Sequence, residues 1–284
     1  MAKHEGEIAS SALVTNRTRG KKIRQVKTDF SGGKVIILGS VLPILLVIVW
    51  EILSRMGVFP AYQLPAPTTI IETIREMAQD GTLWTHIGVT TFRVFAGFAL
   101  GTIVAIILGS FVGFYKKAEQ IFDPMIQAFR SIPSLAWVPL FILWMGIGEP
   151  SKITMIAVGV FFPVYLNIVS GIMGVDRKLI EVGKMYGLNT FHLIRKVILP
   201  ASLPSFLVGL RSGLGLGWMF VVAAELMGAS QGLGYLLVLG QNTLSPEIII
   251  ASIILFAIIG KLSDWVLKLV EKRTLQWQDS LIKS

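Results

Sequence analysis

Cysteine is absent from this chain, which excludes disulfides, thiolate metal sites and a cysteine nucleophile. Charge is scarce: Asp, Glu, Lys and Arg make up 15% of the 284 residues. A soluble domain of this length needs far more charge to cover its surface. His4, His86 and His192 lie far apart and none sits at metal-ligand spacing, so no metal site is expected. No Gly-x-x-x-x-Gly-Lys-Ser/Thr phosphate loop occurs. Gly33-Lys34 and Gly260-Lys261 lack the rest of that pattern, so the chain is not expected to hydrolyse ATP. His-Glu-x-x-His and Gly-x-Ser-x-Gly are missing too, which argues against an intramembrane enzyme, and no catalytic residue is assigned.

What the chain does have is apolar residues, 53% of the total, gathered into long runs between short charged stretches. That is the pattern of several bilayer spans. The runs predict spans at about Val35–Leu53, Ile87–Tyr115, Ile121–Ile147, Ile153–Val175, Leu203–Leu226 and Ile248–Leu267. Pro133 and Pro139 fall inside the third. Between the first two, Leu64-Pro65-Ala66-Pro67 marks a turn, and Thr68 or Thr69 is a candidate cap for a short amphipathic helix through Met77. The net charge of +9 raises the question of nucleic acid, but its distribution points to the membrane. Residues 1–34, the Lys116-Lys117 turn, the stretch 176–200 and the region of Lys272, Arg273 and Lys283 are basic, and six spans put all of them on one side. The other side carries only Arg55, Arg75 and Lys152. By the positive-inside rule both termini are cytoplasmic. Residues 1–34 read as a basic cytoplasmic tail and not as a cleaved signal peptide.

Charges within spans are costly and are functional hypotheses by default. Arg93, Arg130, Arg211 and Glu225 are the candidates for a solute pathway, with snorkelling or structural pairing as the alternative. Lys261 and Asp264 read as a local ion pair. Gly209, Gly213 and Gly217 recur every four residues in the fifth span, a small-residue face for close helix packing.

Residues 176–200 predict two short helices with a bend. Asp176 caps the first. Leu179, Val182 and Tyr186 share a face, and Gly187 stops the helix. Asn189 or Thr190 caps the second, whose apolar face is Phe191, Ile194 and Ile198 with Arg195 and Lys196 alongside, and Pro200 ends it. Such a pair is a docking element or a structured loop on the membrane surface. The spacing Glu181, Gly187, Val197 and Leu199-Pro200 resembles the signature of type I ATP-binding-cassette importer permeases, with Val182-Gly183 in place of two alanines and Val197 in place of isoleucine.

The resemblance covers roughly residues 85–270. Thr91-Phe-Arg-Val-Phe-Ala-Gly97, Ile132-Pro-Ser-Leu-Ala-Trp-Val-Pro-Leu140, Gly146-Ile-Gly148 with Ser151-Lys152, and Ala223-Ala-Glu225 with Gly232-Leu-Gly-Tyr235 look most like the aliphatic sulfonate, taurine and nitrate/bicarbonate subgroup. It implies an all-α membrane protein of the type I importer permease fold. Its permease domain is residues 85–270, preceded by a first helix and outer loop at 35–84 and followed by a tail at 271–284. It implies that Glu181, Val182, Gly183, Met185, Tyr186, Gly187, Leu199 and Pro200 couple to an ATPase. The implied partners are two ATP-binding-cassette subunits that bind ATP and Mg, a second permease copy, an external solute-binding protein and membrane lipid, with no nucleic acid and no cofactor in this chain. The implied location is a bacterial plasma membrane and the implied cargo is a small anion. Aliphatic sulfonate comes first, with taurine, nitrate or bicarbonate as alternatives. A reading of another class, an autonomous ion-coupled carrier or channel, needs acidic or His relays deep in the spans.

Overall fold

The structure is a computed structural model that describes residues 32–60, 62–226 and 228–276. The chain divides into two units, Met1–Ile48 and Val49–Ser284. Helix α1 (Gly32–Arg55) crosses that division and begins three residues before the expected Val35. Its 24 residues measure about 36 Å at 1.5 Å per residue, enough for the roughly 30 Å of a hydrocarbon core. The basic tail expected over residues 1–34 lies, up to residue 31, outside the described residues, as does Lys283.

The larger unit continues with α2 (Pro67–Gln79), α3 (Thr82–Phe114), α4 (Lys116–Arg130), α5 (Ser134–Met145), α6 (Glu149–Met173), α7 (Arg177–Met185), α8 (Thr190–Leu193), α9 (Leu199–Leu226), α10 (Leu233–Asn242) and α11 (Pro246–Thr274). Among the described residues four helices are long and apolar enough to cross a membrane: α3, α6, the continuous helix Thr190–Leu226 and α11. A fifth span results if α4 and α5 count as one bent pair. The chain is a multi-pass membrane protein.

A straight third span over Ile121–Ile147 does not form. α4 and α5 meet at 104°. Pro133 has no amide to donate and drives Ile132 out of the helical region. The amides of Ser131 and Ile132 turn back to Ala128 and Phe129 and close α4. Pro139, by contrast, sits inside an unbroken α5. The expected cap of α2 is also different. Pro67 takes the first helical position and neither Thr68 nor Thr69 caps through its side chain. Instead Glu51, at the end of α1, accepts from the Thr68 amide at 3.2 Å and from its hydroxyl at 3.0 Å, so a carboxylate from another helix meets the positive end of α2.

α6 lies between α3 and α9 along much of its length and is the most enclosed of the four long apolar helices. Glycines make this possible. On α9, a Cβ at Gly209 would fall 2.7 Å from Asn167, and one at Gly213 would fall 2.8 Å from Val164. Gly217 faces Val160 at 3.2 Å. The expected small-residue face therefore packs within the chain, against α6. α3 carries an equivalent series that the sequence reading passed over. A Cβ at Gly97 would fall 2.6 Å from Ile156, one at Gly101 would meet the Ala157 carbonyl, and one at Gly109 would fall 3.1 Å from Ile168. Without side chains in the way, dispersion contacts between the backbones replace the hydrophobic drive that lipid cannot supply. Val94, Ile156, Val160, Val164 and Val221 are fully buried in the resulting core.

Candidate functional site

The loop singled out by its spacing folds as capped helices. The Asp176 carboxylate accepts from the Lys178 amide at 2.9 Å and starts α7. At the other end Gly187 takes φ +72°, the left-handed region, where a side chain would be strained. The Leu188 amide then reaches Gly183 O at 3.1 Å and the Gly187 amide reaches Lys184 O at 2.9 Å, a Schellman closure. Asn189 caps α8 by accepting from the His192 amide at 2.9 Å.

Gly183 is the seat of α7: a Cβ there would meet Leu193 at 2.6 Å. The apolar side chains around it are uncovered. Leu179 and Val182 are about half exposed, Met185 is 86% exposed and Tyr186 83%. Glu181 is exposed beside them. In the second helix Ile194 and Ile198 turn inward as expected, but Phe191 faces out and Leu193 takes the inner place.

Pro200 does not end that helix. The segment Ile194–Ile198 widens into a π turn, with the Leu199 amide bonded to Ile194 O, and passes directly into α9. The extra residue in the turn lets the chain carry Pro200, which lacks an amide, without a break. Leu199 and Pro200 thus lie inside one helix and not at a boundary.

At the end of the unit opposite α7, two of the four expected pathway residues, Arg93 and Glu225, converge. Arg93 of α3 is 2% exposed. Its Nε and Nη2 donate to the two oxygens of Glu149 at 2.7 and 2.5 Å, at the first turn of α6. Its Nη1 donates to Glu225 at 2.7 Å and to Gln231 O at 2.6 Å. Glu225 also accepts from Thr90 at 2.8 Å and from the Gly234 amide at 2.7 Å, at the start of α10. Gly232, at φ +123°, leaves room for this: a Cβ would fall 2.5 Å from the Glu225 carboxylate. Lys152 reaches Glu149 at 3.3 Å, and His86 accepts from the Gly232 amide at 3.0 Å. Arg93 and Glu225 are therefore partners in a saturated cluster that ties α3, α6, α9 and α10 together. Glu149, Thr90 and His86 were not foreseen. The signal was available: a lone arginine in an apolar helix demands a counter-charge.

Arg211 is also paired. It donates to Asp264 at 3.1 Å and to Glu271 at 3.1 Å, both on α11. Lys261 approaches the same Asp264 at 3.8 Å, as its spacing suggested. Arg130 differs. Among the described residues it forms no ion pair, and its side chain hydrogen-bonds to Gln127 at 3.4 Å. It stands at the 104° bend, on a recess of about 410 Å³ walled by α5, α6 and α9.

The family described as "Binding-protein-dependent transport system inner membrane component" matches residues 97–276. A Bacillus subtilis (strain 168) protein named as an aliphatic sulfonates transport permease, SsuC, is 42% identical over 85% of this chain and 88% of its own. Its Escherichia coli (strain K12) namesake is 38% identical over 83% and 90%. The taurine transport system permease TauC of E. coli (strain K12) is 33% identical over 94% and 98%. A solved chain of the methionine transporter MetNI in an inward-facing conformation has 22% identity and a TM-score of 0.48, covering 66% of this chain and 94% of that one. With the family matched over most of the helical unit, and relatives well above 30% identity over four-fifths of the length or more, this chain belongs to the inner-membrane components of binding-protein-dependent transport systems.

Proposed function

We propose that this chain is the membrane-spanning permease of an ATP-driven, type I importer of a bacterial plasma membrane, and that its cargo is an aliphatic sulfonate. The six spans are α1, α3, the α4–α5 pair, α6, α8–α9 and α11, with both termini cytoplasmic. Lys116, Lys117, Arg177, Lys178, Arg195 and Lys196 then share the cytoplasmic side, as the positive-inside rule requires. ATP and Mg bind to two separate ATPase subunits. A second copy of this chain and an external solute-binding protein complete the machine.

The observation that carries this reading is the bare surface of α7: Leu179, Val182, Met185 and Tyr186 are uncovered, while Gly183 is seated against Leu193. A rigid helix with an apolar face and basic flanks fits a cleft on a partner protein. Closure of the ATPase pair would push α7, and the spans would rock to open the other side. The test is the double variant Met185→Asp, Tyr186→Asp in the assembled importer. Loss of both ATPase co-purification and sulfonate-stimulated ATP hydrolysis is expected. Normal uptake by this variant would sink the coupling assignment.

The sulfonate rests on the two SsuC relatives, with taurine as the second reading from TauC. A deletion strain should fail to grow with an alkanesulfonate as sole sulfur source and grow normally with nitrate as sole nitrogen source. The reverse pattern removes the sulfonate.

A further inference from the structure

Of the three arginines expected within the spans, Arg93, Arg130 and Arg211, two are neutralised. Arg93 has two carboxylates and a carbonyl; Arg211 has two carboxylates. Arg130 has a side-chain amide at 3.4 Å and no carboxylate partner among the described residues. Its side chain is exposed at the edge of a largely apolar recess, so its donors are open to an incoming anion.

The surroundings are specific. The recess beside Arg130 has a volume of about 410 Å³, within the range of small-ligand pockets. Its walls include Trp137, Phe162, Leu216, Met219 and Phe220, with the Ser212 hydroxyl as an extra donor. It holds no acidic side chain. A bare inorganic oxyanion would leave those aromatic and aliphatic walls unused, and an apolar solute would leave Arg130 unpaired.

We infer that this recess is the solute-contact site, and that it takes an anion with an apolar tail: the headgroup on Arg130 and the tail against Trp137, Phe162 and Phe220. This deepens the importer reading and rests on it for the direction of transport, but not for binding. The charge is read by one bidentate donor, and chain length is read by apolar contact. Affinity then rises with tail length, about fourfold per added CH₂, the ratio that corresponds to ~0.8 kcal/mol per buried methylene. The position is consistent with passage. The wall is made by the bend between α4 and α5 and by α9, the helix that runs on from the α7–α8 region.

The test uses the full chain with its ATPase subunits in lipid nanodiscs. Butanesulfonate, hexanesulfonate, hexanol and sulfate are titrated, and tryptophan emission is read with Trp137→Phe as the control for its origin. Both sulfonates should change Trp137 emission, hexanesulfonate binding roughly fifteenfold tighter than butanesulfonate, the product of two such CH₂ steps. Hexanol and sulfate should do little at equal concentration. Arg130→Gln should weaken hexanesulfonate at least tenfold and Arg130→Lys should recover part of that. Ser212→Phe, which narrows the recess and keeps Arg130, should weaken hexanesulfonate more than butanesulfonate. Equal hexanesulfonate affinity in Arg130→Gln and the native chain, or a signal that persists in Trp137→Phe, overturns the site. ATP-driven hexanesulfonate uptake in proteoliposomes separates the two readings. Uptake unaffected by Arg130→Gln leaves the importer standing and removes the site. Arg130-dependent binding without uptake in any form keeps the site and removes the sulfonate importer.

Discussion

Arg93 is asked to do something a lysine cannot. Its planar fork meets Glu149 with two nitrogens and still offers Nη1 to Glu225 and to Gln231 O. Glu225, with its side chain fully enclosed, has its carboxylate held by Arg93, Thr90 and the Gly234 amide. Removing one partner of such a pair leaves an uncompensated charge, a loss of about 3–5 kcal/mol. Arg93→Leu should therefore lower the unfolding temperature of the detergent-solubilised protein markedly, and Arg93→Lys should recover little. An unchanged melting curve for Arg93→Leu means that the cluster does not hold the helices together. Both residues stood out in the sequence as charges in apolar runs. That they meet was not legible, because they are 132 residues apart and no periodicity encodes a contact at that range. Glu149 was harder still, since it reads as an ordinary loop residue after Gly146-Ile-Gly148 until its arginine is known.

Among the elements, α6 and the π turn decide most. The α6-facing glycines of α3 and α9 let both neighbours approach α6 closely, so a side chain added at Gly97, Gly101, Gly209 or Gly213 must push a helix away. Gly101→Leu would drive its side chain into the Ala157 carbonyl, and Gly213→Leu into Val164. Overpacking of this kind costs about 1–3 kcal/mol or more. Both variants should melt earlier, while Gly88→Leu, where nothing lies within 4 Å, should not. The four-residue glycine spacing on α9 was readable in advance. The same signal on α3 was present at Gly97 and Gly101 but was submerged in a longer apolar run. The bend at Pro133 was half legible: the proline announced a break, yet the run of apolar residues around it has the length of one span. The π turn was not legible at all. Pro200 looked like a stop signal, and only the five-residue bond from Leu199 to Ile194 O shows how the helix accommodates it. Pro200→Ala restores an amide and lets this turn relax to an α-helix, which rotates α7 and α8 relative to α9. ATP hydrolysis should then continue with uptake reduced several-fold, measured side by side in proteoliposomes.

For the whole molecule, the question is which part yields. α3, α6 and α9 are locked by glycine contacts and by the ion cluster at one end. The compliant places are the 104° bend and the π turn, both next to proline. Hydrogen exchange read by mass spectrometry on the assembled importer, with and without ATP, should show α6 amides as the slowest and least responsive. The segments around residues 131–134 and 194–198 should change most. Equal responses in α6 would mean that the core itself rearranges.

The helix Thr190–Leu226 has one further consequence. It is a single shaft of 37 residues, about 55 Å long. Its foot supports the seat of α7 through Leu193, its flank supplies Ser212, Leu216 and Phe220 to the recess, and its head carries Glu225 into the Arg93 clamp. A torque applied at the foot reaches the flank and the head together. If α7 takes the proposed ATPase contact and the recess the inferred solute, fuel consumption and cargo release would be geared and not merely correlated. A futile stroke, with ATP consumed and nothing carried, requires the shaft to slip, and the π turn at its foot is where the gearing is weakest.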